Sequence, residues 1–260
     1  MLNRLLERII MQDKIEGRNA VAEALRSGRE IDKILVKKGK LEGSVIPIIK
    51  KAKEAGIVVS EVEKQKLDSI SETGNHQGII AYAAAYRYYT IDDILKTAAE
   101  KDEPPFVIIC DKITDPHNLG AIIRTANCTG VHGVIIPKRG GAVLNSTAAK
   151  AAAGAAEYTK VCKVTNIART IDELKEKGLW IAGGGFGGEN IYSADMTGAL
   201  GIVIGSEGDG ISRLVKEKCD FLVSIPMFGE ISSLNASAAA AVLMYEAVRQ
   251  KKFGRNDIKK

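Results

Sequence analysis

The sequence contains no apolar run that approaches the length needed to cross a bilayer. Cysteine is scarce: four in 260 residues, at Cys110, Cys128, Cys162 and Cys219. None forms the close pairs that a structural zinc site requires, and no histidine cluster accompanies them. A metal centre and a disulfide framework are both unexpected. A reducing compartment, most simply a cytoplasm, follows. No Walker phosphate loop and no internal repeat is present. Met1 to Ile10 mixes charges into its apolar residues and lacks a signal-peptide core, so it reads as a frayed helical stretch before Met11, within an N-terminal extension over residues 1–15. What remains is the composition of a folded chain, 45% hydrophobic and 27% charged. The net charge of +5 leans toward an anionic partner, but the excess is spread along the chain.

The patterning predicts two α/β domains. Over residues 16–85 short helices and strands alternate on a small scale. Helices are expected at Arg18–Arg26 (stopped by Ser27-Gly28), Ser44–Ala55 and Val62–Ile70, and strands at Ile31–Val36, Ile57–Val59 and Ile79–Ala83. Residues 86–105 read as a linker carrying one short helix, opened by a capping box of Thr90 with Asp93 and ended by Pro104-Pro105. Residues 106–255 then alternate short apolar strands with helices, as in a mostly parallel sheet covered on both faces. The strands are expected at Phe106–Cys110, Gly133–Ile136, Val161–Val164, Leu179–Ala182, Gly201–Ile204 and Phe221–Ile225. The helices fall at Asn118–Thr129, Ser146–Ala156, Ile167–Lys177, Ile211–Lys218 and Asn235–Lys252, with a tail over 256–260.

Gly183 to Gly188 matches the G-x-G-x-x-G spacing of dinucleotide-binding loops. The residues after it open no helix to receive a pyrophosphate. It reads instead as a flexible glycine loop beside a ligand or at a turn.

Three other segments carry more chemistry: Asn118-Leu-Gly-Ala-Ile-Ile-Arg124, Ile202-Val-Ile-Gly-Ser-Glu-Gly208 and Ile225-Pro-Met-Phe-Gly-Glu-Ile-Ser-Ser-Leu-Asn235. Each sits where a strand gives way to a loop or helix, the usual place for a ligand in an open α/β sheet. Asn118 reads equally as a helix N-cap and as a ligand-binding amide, and Arg124 as a solvated or a functional cation. Glu207 lies between glycines that let a ligand approach the backbone, unless it is a plain turn residue. Asn235 can cap the alanine-rich helix that follows, and Ser233 supplies a hydroxyl beside it.

In order, spacing and residue type these segments resemble the three signature motifs of the SpoU family, the RNA ribose 2′-O-methyltransferases of the trefoil-knotted superfamily. Residues 16–85 are similar to that family's small substrate-binding domain, which resembles the L30e-type ribosomal protein fold and has a turn like His76-Gln77-Gly78. The resemblance implies a knotted catalytic domain and S-adenosyl-L-methionine as methyl donor. The donor would lie near Ile204, Gly205, Ile225, Met227 and Leu234. Asn118, Arg124, Glu207, Ser233 and Asn235 fall on the catalytic motif positions. The substrate implied is RNA, most closely a guanosine ribose in 23S rRNA, with tRNA or a non-catalytic role in ribosome assembly as alternatives. A homodimer is implied, and neither metal nor membrane.

Overall fold

The computed structural model describes residues 14–27, 29–39, 43–83 and 87–254. Residues 1–13 of the expected extension, the Gly28 helix stop and the tail over 256–260 lie outside them. The chain divides between Arg87 and Tyr88 into two compact units.

The first unit is built from β1 (Lys14–Glu16), α1 (Arg18–Arg26), β2 (Ile31–Lys37), α2 (Val45–Glu54), β3 (Val58–Val62), α3 (Lys64–Ile70) and β4 (Ile79–Ala83). Its sheet runs β1-β4-β2-β3, antiparallel except for the parallel β2/β3 pair. Side chains alternate faces along a strand. Thus Ile34, Val36, Ile79 and Ala81 pack under α1 and α2, while Leu35, Ile80 and Tyr82 meet Leu67 of α3. Two expectations shift here. Val62 ends a strand rather than opening a helix, because Val58–Val62 pairs residue for residue with Lys33–Lys37. Strand β1 carries too short a pattern to be read in advance and exists through its pairing with β4.

Glu16, at the end of β1, ties that strand to the 71–74 turn. Its carboxylate accepts from Ser71 Oγ at 2.7 Å, Glu72 N at 2.7 Å, Thr73 N at 3.2 Å and Thr73 Oγ1. Partial burial pushes its pKa up, but these four donors together outweigh that and bring it down to about 2. The His76-Gln77-Gly78 turn is equally structural. His76 is buried, its Nδ1 accepts from Gly78 N at 3.0 Å, and its Nε2 therefore donates to Asp68 Oδ1 at 2.8 Å.

The second unit contains α4 (Ile91–Glu100), β5 (Phe106–Cys110), α5 (Pro116–Cys128), β6 (Gly133–Pro137), α6 (Ser146–Ala152) and β7 (Lys160–Val164). It continues with α7 (Ile167–Glu176), β8 (Trp180–Asn190), β9 (Leu200–Ile204), α8 (Arg213–Lys218), β10 (Phe221–Ser224) and α9 (Ala236–Phe253). The sheet order is β10-β8-β9-β5-β6-β7, and every pair is parallel. All five residues of β5 and of β9 are buried, as expected for central strands covered on both faces. The chain builds outward from β5 through β6 to β7, then returns to add β9 on the other side of β5. The switch point therefore lies between β5 and β9.

Three expectations need correction in this unit. The segment read as a linker belongs to it from Tyr88: α4, held by the expected Thr90/Asp93 capping box, buries Ile91 and Ile94 in the core with Ile135 and Cys162. The prolines signalled the end of a helix, not the edge of a domain. Helix α6 stops at Ala152 rather than Ala156, since Ala153 turns left-handed at φ 50°. Finally, the glycine run is strand: β8 continues through it to Asn190. Gly183 and Gly184 stay paired with β9, but residues 184–188 leave the register with β10, which resumes at Glu189. A Cβ on Gly183 would come within 2.8 Å of Leu222 Cδ2, and one on Gly188 within 2.5 Å of the Leu222 carbonyl carbon. Close packing, not loop flexibility, requires these glycines.

Among the described residues no helix is long and apolar enough to cross a membrane. The four cysteines are free, and burial pushes the Cys110 thiol up to about 12, so it packs as a small apolar group.

Two outcomes follow from the packing. A Cβ on Gly120 would lie 2.2 Å from Ala148 O, so Gly120→Ala must force α5 and α6 apart. We expect a loss of roughly 1–3 kcal/mol in urea unfolding, despite the helix propensity of about 1 kcal/mol that alanine gains over glycine. An unchanged midpoint would show that the two helices separate freely. For Glu16, a folded pKa depressed to about 2 from 4.5 means its stabilisation is complete above pH 4.5 and lost as pH falls toward 2. Glu16→Gln should therefore lower the melting temperature at pH 7 and converge with the parent protein near pH 2. A gap independent of pH would contradict the ionic origin.

Candidate active site

Strand β9 ends at Ile204, and the chain doubles back at once. Ser206 and Gly210 exchange backbone hydrogen bonds of 3.1 and 3.0 Å, closing a short arm with Glu207 near its tip. The return is so tight that a Cβ on Gly205 would sit 2.2 Å from the Gly210 carbonyl carbon. Glycine is required there by space.

Glu207 meets the other two segments. Its Oε1 accepts from Asn118 Nδ2 at 3.0 Å, from Asn235 Nδ2 at 2.5 Å and from Ala236 N at 3.3 Å. Asn235 Nδ2 also donates to Asn118 Oδ1 at 2.9 Å, completing a ring of three side chains from three distant stretches of chain. The orientation of the Asn235 amide is forced. Its Oδ1 caps α9 by accepting from Ser237 N at 3.0 Å, Ser237 Oγ at 2.6 Å and Ala238 N at 3.3 Å, which leaves Nδ2 to face the carboxylate. The capping alternative for Asn118 is excluded: Asp115 caps α5 through His117 N at 2.8 Å, and Asn118 sits inside the first turn with its side chain in the ring.

A cavity of about 240 Å³ lies beside this ring, between the 184–188 excursion of β8, the Gly205–Gly210 arm and the segment after β10. Ile204, Gly205, Ile225, Met227 and Leu234 all border it, as do Glu207 and Ser233. Asn118 and Asn235 stand outside its wall. Arg124, six residues along α5, is exposed and forms no hydrogen bond or ion pair with another described residue, so this chain alone does not bring it to the ring. Gly184, Gly185 and Phe186 also line the cavity, so the glycine run read as lying beside a ligand or at a turn borders it, although none of its residues was among the expected site residues. Residues 226–233 make no hydrogen bond to another described residue, which leaves their backbone groups available to a ligand.

Residues 105–245 match the family profile described as the SpoU rRNA methylase family. The chain belongs to the SpoU rRNA methylase family. Residues 14–89 match a second profile, described as RNA 2′-O ribose methyltransferase substrate binding. A Bacillus subtilis (strain 168) protein assigned to the TrmH family of tRNA/rRNA methyltransferases is 48% identical over 240 residues, covering 92% of this chain and 96% of that one. Among solved structures, the SpoU methyltransferase AviRb from Streptomyces viridochromogenes has a TM-score of 0.57 at 23% identity, over 91% of this chain and 89% of its own, which shows the shared fold. The TrmH/SpoU tRNA modifying enzyme of A. aeolicus has a TM-score of 0.52 at 27% identity, over 60% of this chain and 83% of its own. This SpoU family member is thus an RNA methyltransferase, with RNA as its substrate and a mostly parallel α/β catalytic unit preceded by a substrate-binding unit.

The ring generates a sharp expectation. Asn235→Asp keeps the α9 cap but turns a second carboxylate oxygen onto Glu207. Its melting temperature should match the parent protein at acid pH and fall below it as both carboxylates ionise. Asn235→Ala should instead lose about 1 kcal/mol from the missing cap. If the Asp variant melted like the parent at pH 7, the contact with Glu207 would be wrong.

Proposed function

We propose that this chain transfers the methyl group of S-adenosyl-L-methionine to a ribose 2′-hydroxyl of RNA, specifically at a guanosine of 23S rRNA. The observation that carries the reading is the Asn118–Glu207–Asn235 ring at the edge of a cavity walled by glycine backbone and aliphatic side chains. The AviRb structure was determined with AdoMet, and the family's methyl donor is S-adenosyl-L-methionine. The cavity suits that donor. Gly205, whose lack of a side chain lets the arm fold back on Gly210, borders the cavity with backbone, Ile204, Leu234 and Met227 offer an apolar slot for a purine, and the unpaired backbone after Ile225 offers hydrogen bonds. When bound, the donor supplies an activated methyl on a sulfonium.

The protein's task is then to align oxygen, carbon and sulfur, so that the 2′-oxygen takes the methyl as the C–S bond breaks and S-adenosylhomocysteine leaves, while the hydroxyl proton passes to Glu207, a water or the phosphate. Glu207, fixed through Oε1, and Ser233 orient the acceptor ribose. Arg124 stays protonated, because a guanidinium does not surrender its proton in this range. As a cation it grips the phosphate beside the target ribose and stabilises the alkoxide that develops on the 2′-oxygen. Its exposed position agrees with a partner brought from outside the chain: the RNA, and a second subunit of a homodimer in which α9 lies near the interface.

The substrate-binding unit favours 23S rRNA over tRNA. The tRNA-modifying neighbour aligns with 60% of this chain, whereas the match to the substrate-binding profile occupies residues 14–89. Mapping ribose methylation in cells with and without the gene tests the target: one 23S guanosine should lose its methyl. Loss at a tRNA position instead would overturn the rRNA assignment. Arg124→Ala should abolish methyl transfer and leave donor affinity unchanged by calorimetry. Arg124→Lys should recover little, and near-full activity in that variant would rule out the bidentate phosphate grip.

A further inference from the structure

The cavity beside Glu207 uses only the β8–β9–β10 side of the switch point. On the other side of the Gly205–Gly210 arm lies an open groove of about 660 Å³, at the C-terminal ends of β5, β6 and β7. The two spaces share Ser206, Gly208 and Asp209, so the arm is a partition with one recess on each face. C-terminal strand ends at a switch point are where open α/β sheets bind ligands. The groove is therefore a second place at this edge where a ligand can bind.

Its lining has the chemistry of a phosphate site. Lys112 and Arg139 are exposed cations on its walls, with Thr114, Thr165 and Asn166 as neutral polar neighbours. Both cations stand on braced backbone. Lys112 is held left-handed at φ 57°, directly after buried Asp111. The Asp111 N–H donates to Ile204 O at 2.8 Å, and its Oδ2 accepts from Ser212 N at 2.6 Å. That oxygen is committed to the Ser212 amide. The loop bearing Arg139 is fixed on either side, by Lys138 N to Val164 O at 2.8 Å and by Ala142 N to Ile113 O at 2.6 Å. A Cβ on Gly141 would approach Pro137 Cγ to 2.7 Å, so this loop is packed against itself. Asp209 is the remaining carboxylate of the lining and belongs to the shared partition, where it borders both spaces.

We infer that this groove binds the phosphodiester backbone of the RNA strand flanking the target ribose, with Lys112 and Arg139 contacting successive phosphates. The inference rests on the reading of the neighbouring cavity as the methyl-donor site, which places the acceptor ribose at the partition. Phosphate contacts set the register of a strand without reading its bases. The groove thus positions RNA of any sequence and leaves target choice to other surfaces.

The test measures binding of a short single-stranded oligoribonucleotide, and of the matched oligodeoxyribonucleotide, over a range of salt. Lys112→Gly removes the cation while accepting the positive φ, and Arg139→Ala removes the other. The double variant should bind both strands at least tenfold more weakly, with the slope of log K against log salt reduced by roughly 0.7 for each phosphate no longer neutralised. Its melting temperature and its affinity for S-adenosyl-L-methionine should stay at parental values. Arg139→Lys should retain most of the affinity, as a point charge suffices for a phosphate. Parental affinity and slope in the double variant would overturn the proposal. The DNA strand has phosphates but no 2′-hydroxyl, so weakened DNA binding supports the groove whatever the chemistry. RNA bound through the groove but never methylated would instead contradict the donor-site reading.

Discussion

One carboxylate oxygen organises the catalytic unit. Glu207 Oε1 takes hydrogen bonds from Asn118, Asn235 and the N-terminal amide of α9, and so joins the ends of β5, β9 and β10 at a single point. A carboxylate satisfied by N–H donors is strongly oriented, and removing any donor leaves charge without its partner. Helix capping and site assembly are therefore the same event here. The Asn235 oxygen that ends the orphan N–H groups of α9 also decides where its nitrogen points.

Around this point the backbone is brought closer than side chains allow. Gly205 folds the arm back on Gly210, Gly188 lets β8 press on β10, and Gly120 lets α5 lie against α6. Of these, Gly205 borders the cavity beside Glu207, where it presents backbone without side-chain bulk. The same economy divides the C-terminal edge of the sheet into two recesses on either face of one arm.

Much of this was legible in the residues. The strands Phe106–Cys110 and Ile79–Ala83 and the helix Arg18–Arg26 announce themselves by short apolar runs or by a helical period with a clear stop, and each lies where the pattern places it. The capping role of Asn235 was readable because an asparagine precedes an alanine-rich helix. Other features depended on contacts that no local pattern carries. Gly183 to Gly188 looks like a loop in sequence, and becomes strand through pairing with β9 and β10, with neighbours that leave no space for a Cβ at Gly183, Gly184 and Gly188. The helix at Ile91–Glu100 is amphipathic, but only the tertiary fold shows that its apolar face belongs to the catalytic core. Asn118 was ambiguous until Asp115 was seen to take the cap. That Arg124 makes no hydrogen bond to the ring could not be read from six residues of helix.

The central proposal is that a methyl group reaches a sugar oxygen of RNA. Incubating the purified chain with S-adenosyl-L-methionine and unmodified 23S rRNA, then digesting the RNA to nucleosides for mass spectrometry, tests this most directly. The expected product is 2′-O-methylguanosine, formed in proportion to the donor consumed. A methyl group found on a base, or no methylated nucleoside despite bound donor, would contradict it.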